Sequence, residues 1–161
     1  MRKVIGGLLL GSMLTSAAAV NAASCESDAE RAAYHVRSLQ TELMVAALTC
    51  GNRDNYNEFA IKFKGPLIES GQYLKKGFRA AYGPQAERQL NAYVTALANR
   101  LSARSVAGRD SFCANAERTF QALESMPSVK LAAFSVARPA GDVDVPSSCR
   151  PTVELVGTTP R

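Results

Sequence analysis

The chain has 161 residues, with 19 basic and 14 acidic side chains, one His, four Cys and no Trp. That is the length of one domain. A net charge of +5 is too small to argue for nucleic acid, and a single histidine excludes any site built on a histidine pair. The cysteines carry the strongest signal. Cys25 and Cys50 bracket the first helical stretch, Cys113 opens the last strong one, and Cys149 lies in the tail beyond it. An even count in an exported chain points to disulfides, and no C-x-x-C spacing suggests a redox, zinc or haem motif.

Residues 1–22 have the form of a secretory signal. Arg2 and Lys3 precede an apolar run that is short for a bilayer span, and Val20-Asn21-Ala22 offers small residues for cleavage before Ala23, or before Ser24. A lipoprotein reading, with Cys25 lipidated, competes here. It lacks the usual Leu, with Ala22 in that place, and it would leave an odd number of cysteines. After cleavage 139 residues remain; losing Arg2 and Lys3 leaves 17 basic against 14 acidic residues, a net +3. The expected setting is the bacterial periplasm, with secretion second and a lipid anchor at Cys25 third. No later apolar run is long enough to span a membrane.

The first helix is predicted over 27–50, capped by Ser27 or Asp28, with Val36, Leu39, Leu43, Ala47 and Cys50 at helical spacing and Gly51 as a stop. The second starts at Asp54 or Asn55 and carries Tyr56, Phe59, Phe63, Leu67, Leu74, Phe78 and Ala81 on one face. Gly65-Pro66 predicts a kink or break within it, and Tyr82-Gly83-Pro84 closes it. Pro84 then suits the first turn of a third helix through Leu90, Tyr93, Val94, Leu97 and Leu101, ending near Gly108. A fourth begins at Asp110 or Ser111 and ends at Met126-Pro127. Residues 129–137 fit a short helix or an extended segment. From 138 onward, proline and glycine predict an irregular tail, with 152–156 able to form a brief strand. Ala-Glu-Arg recurs at the starts of three helices; glutamate there complements the helix dipole, and the unequal spacing does not make a repeat array.

The expected fold is therefore all-α: four main helices in an up-down bundle over 23–137, stapled by disulfides, with an irregular tail over 138–161. Short loops make successive helices antiparallel. That topology brings Cys50 to Cys113 and leaves Cys25 for Cys149. A 24-residue helix is about 36 Å long, so Cys25 cannot reach Cys50 unless helix one breaks.

Catalytic and ligand motifs are weak. His35 is the sole histidine and has no identified partner; Met44 and Met126, the other haem-ligand candidates, fit the core better. Asp142 and Asp144 lack the loop pattern of a calcium site and read as turn residues. No cofactor or metal is expected. The densest patch is Tyr73, Lys75, Lys76, Arg79 and Tyr82, where basic and aromatic residues interleave at the end of helix two. It fits a docking surface for an acidic partner or an anionic surface. It also fits the plain back of an amphipathic helix whose buried stripe is Leu74, Phe78 and Ala81. The functional expectation is a non-enzymatic envelope protein that binds another protein through a helix face. Its alternatives are an inhibitor or immunity-type protein blocking an exported enzyme, a small-ligand carrier with a pocket between helices two and three, and an enzyme using His35.

Overall fold

A computed structural model of the chain describes residues 27–138. The described residues are all helical: α1 (Asp28–Cys50), α2 (Arg53–Lys62), α3 (Lys64–Tyr82), α4 (Ala86–Ala107), α5 (Arg109–Glu124) and α6 (Leu131–Ala137), with short 3₁₀ turns at Gly83–Gln85 and Ser128–Lys130. The expected signal, Cys25, Cys149 and the tail beyond Arg138 lie outside them.

Local rules set most helix ends. The Ser27 hydroxyl accepts from the Glu30 amide, satisfying one orphan donor of α1. Gly51 closes the helix at φ 84°, a left-handed conformation suited to glycine. The expected interruption of helix two is present but falls at Phe63, with φ −101° and ψ 16°, not at Gly65-Pro66. The proline ring acts on the carbonyl four residues earlier, that of Lys62, so the backbone yields one turn before Pro66. Pro66 itself sits in the first turn of α3, where its missing N–H has no helical acceptor to lose. Residues 131–137 are helix, which resolves the choice left open by their apolar composition.

Helix α1 is the hub and packs against α2, α3, α4, α5 and α6. Its burial is accordingly not one stripe: Thr41, Glu42 and Leu43 are consecutive buried residues, as are Val45, Ala46 and Ala47. A surface helix would bury only about three or four positions in two turns. Phe63, Leu43, Leu97, Leu101, Leu123 and Leu131 anchor the main core. A second cluster of Ala33, Tyr34, Leu74, Phe78 and Ala86 fills the end where α1 starts. Here α1 and α3 approach closely: a side chain at Gly77 would collide with the Glu30 carboxylate.

The expected disulfide is formed. Cys50 and Cys113 are joined with 5.7 Å between Cα atoms, tying the end of α1 to the start of α5 across 63 positions of sequence. A disulfide fits a protein outside the cytoplasm. No helix among the described residues is long and apolar enough to cross a membrane.

Candidate functional site

The five patch residues share the last turns of α3 but not one environment. Lys75, Lys76, Arg79 and Tyr82 are exposed; Tyr73 is partly buried against the second core cluster. Ala81, expected in the buried stripe, is exposed. The reason lies in lengths. Glu30, in the first turn of α1, already lies opposite Gly77, so the last turn of α3 runs beyond the start of α1.

Behind the patch stands an aromatic cluster. Tyr34 packs edge-on against Tyr93 with ring centroids 5.5 Å apart, and Phe78 lies 5.8 Å from Tyr93 and 5.5 Å from Tyr82. Such tilted and edge-to-face pairs add to what burial alone contributes. Burial pushes the Tyr34 phenol up to about 12, with the Glu30 carboxylate and Tyr82 adding to the shift. This cluster forms an aromatic platform behind Lys75 and Arg79.

In front of the platform, α3 and α4 enclose an open groove of about 410 Å³. Its α3 wall is Lys75, Phe78 and Arg79; its α4 side is Ala86, Glu87, Leu90 and Asn91. Sequence reasoning found the α3 wall from its composition. It missed Glu87 and Asn91 as groove residues: Glu87 read only as a helix-start glutamate, and both line the groove only because α4 folds back beside α3. Lys75, Lys76 and Arg79 make no hydrogen bond or ion pair among the described residues. Other cations are engaged: Arg109 Nη2 donates to the Thr49 carbonyl at 2.6 Å, and Lys62 Nζ donates to the Leu123 and Glu124 carbonyls at the end of α5. Neither Lys75 nor Arg79 is held by Glu87 across the groove.

A second groove, of about 200 Å³, separates α2 from α5 and is lined by Glu58, Glu117 and Glu124 as well as by Phe59 and Phe120. Lys62 bridges it, and Glu117 accepts from Asn52 Nδ2 at 2.8 Å, so two of its polar groups are tied up internally.

One buried polar network gave no sequence signal. Arg138 Nη2 donates to both carboxylate oxygens of Glu42, at 2.8 and 2.9 Å, and its Nη1 donates to Thr119 Oγ1 at 2.8 Å. Asn115 Nδ2 donates to Glu42 Oε1 at 3.1 Å, and the guanidinium stands over the Phe134 ring, 6.0 Å from its centre. Glu42 and Arg138 are 96 residues apart, so no periodicity could have paired them. The network fastens the end of α6 to α1 and α5. Its two charges are engaged with one another, which makes it a structural clamp.

His35 lies half-buried on α1, facing the Ser135 backbone of α6. Burial lowers its pKa, the neighbouring Arg31 lowers it further, and the Ser135 contact opposes both. Nδ1 is buried with no hydrogen-bond partner. Met44, expected in the core, is 37% exposed, whereas Met126 packs on the main core. Among the described residues no group of three metal-ligating side chains converges.

Comparison with known proteins yields no relative. The chain matches no family model, no curated protein and no solved structure. The functional argument therefore rests on its own geometry.

Proposed function

We propose that the protein is an exported, non-enzymatic binding or accessory protein of the bacterial envelope, which engages another protein through the end of α3. The observation that carries this reading is the set of three cations, Lys75, Lys76 and Arg79, without partners among the described residues, beside an open groove backed by an aromatic cluster. Charges kept unpaired in this way cost little in stability and steer a partner of opposite sign. The signal-like N-terminus and the Cys50–Cys113 bridge support a periplasmic setting, with secretion as the alternative. An up-and-down order of α1, α3, α4 and α5 is part of the same reading. The contacts Glu30 to Gly77 and Cys50 to Cys113 support it. An inhibitor or immunity-type protein is the sharper form of this function, since a stapled bundle offers a preorganised surface.

The test is a photocrosslinking side chain at position 72, beside the patch, in cells of the native host. A discrete adduct that disappears in a Lys75→Glu/Lys76→Glu/Arg79→Glu variant is the expected result. An adduct unaffected by the triple reversal, or none, refutes the reading. The groove volume also falls within the range of small-ligand sites, which favours a carrier as the second reading. Native mass spectrometry of gently purified protein then shows added mass, where a protein-binding module shows none.

A further inference from the structure

We infer that the α3–α4 groove receives an acidic segment of the partner protein, which sets two carboxylates about 6 Å apart on Lys75 and Arg79 and an apolar side chain on Leu90. This rests on the protein-binding reading above and specifies its chemistry.

The spacing follows from the helix. Lys75 and Arg79 are four residues apart on α3, so their stems rise about 6 Å along the axis. Same-side residues of an extended chain repeat at about 6.7 Å, so an acid–apolar–acid run meets both cations at once. The opposite wall repeats the spacing with different chemistry, since Glu87 and Asn91 are also four apart. Glu87 repels a carboxylate placed on the α4 side, and the Asn91 amide can donate to or accept from a peptide group. The groove is thus polarised, cationic along α3 and anionic or neutral along α4. An occupant must be acidic on one side only. Between the walls Leu90 is partly buried and Phe78 is almost wholly buried, so the apolar contact supplies seating more than affinity.

A flat anionic membrane suits this shape less well. The two cations stand in the wall of a groove whose other wall carries Glu87, and no exposed large apolar side chain other than Tyr82 lies on this turn to insert.

The probe is a fluorescein-labelled octapeptide alternating Glu and Leu, followed by anisotropy and by amide shifts of the full exported chain. The expected result is saturable binding with shifts at Lys75, Arg79, Leu90 and Asn91. The same peptide with Gln for Glu binds at least about tenfold more weakly, in line with roughly 1.4 kcal/mol or more for two charge-assisted contacts. Lys75→Glu/Arg79→Glu abolishes binding, Glu87→Gln tightens it severalfold, and Arg53→Glu on α2 leaves it unchanged. Equal affinity for the Gln peptide overturns the inference, as does binding confined to phosphatidylglycerol vesicles. Tighter binding by an Asp142→Asn/Asp144→Asn chain also overturns it, because the groove would then already hold the protein's own acidic run. If the peptide fails while the position-72 adduct still depends on Lys75, Lys76 and Arg79, this inference falls and protein binding stands. If both fail, the reading of the surface itself falls.

Discussion

Replacing Arg138 with Ala tests the buried clamp most directly. The Glu42 side chain is 7% exposed and that of Arg138 20%. Removing the guanidinium deletes two contacts to the carboxylate and one to Thr119, leaving Glu42 with Asn115 as its one remaining hydrogen-bond donor in the network. Stripping one partner from a fully buried ion pair costs about 3–5 kcal/mol. Water can follow the shortened side chain through the partly open Arg138 site, so the cost falls to about 2–3 kcal/mol. In a domain of this size that lowers the melting temperature by about 10 °C. Glu42→Gln keeps the volume and one acceptor, so it costs about 1 kcal/mol. Glu42→Met combined with Arg138→Leu removes both charges and recovers most of the loss, because no unpaired charge remains. Urea unfolding of the parent chain and the three variants measures these costs side by side. An Arg138→Ala cost below about 0.5 kcal/mol, or a double variant no better than Arg138→Ala alone, would refute the claim that Glu42 depends on Arg138 for its burial.

Four further outcomes follow from the same structure. Cys50→Ala/Cys113→Ala frees a loop spanning 63 positions and is expected to cost about 4 kcal/mol, seen as a lower urea midpoint; a midpoint unchanged by reductant contradicts this. His35 has a folded pKa below its unfolded value, so the unfolded chain binds more protons as pH falls. Stability contributed by neutral His35 is therefore full above about pH 6.5 and declines below it, and His35→Asn flattens that part of the stability profile. Gly71 is helical and a Cβ there meets only Arg37 Nη2, at 3.9 Å, so Gly71→Ala raises stability by about 0.5–1 kcal/mol, whereas Gly51→Ala, at φ 84°, lowers it. In a spectrophotometric titration of the five tyrosines, one ionises near pH 12 and is absent from Tyr34→Phe.

What the sequence by itself determined is what depends on near neighbours. Ser27 and Gly51 mark the ends of α1 because capping reads only the three or four residues around a helix terminus. The apolar spacing of Phe59, Phe63, Leu74 and Phe78 fixed one buried face, and helix order fixed Cys50 opposite Cys113. The cationic wall of the groove was legible for the same reason, as a run on a single helix. The break came out one turn early in the structure, since proline's clash is with a carbonyl four residues back.

Only the tertiary structure decided which surfaces meet. It made α1 the hub, and that burial forced Glu42 to find a counter-charge 96 residues away. It left Ala81 exposed because α3 outruns α1, and it drew Tyr73 partly inward. It set Glu87 and Asn91 of α4 across from Lys75 and Arg79, giving the groove its polarity. Helical periodicity relates residues within a turn or two, whereas the field at a buried or grooved site is set by whatever element packs against it.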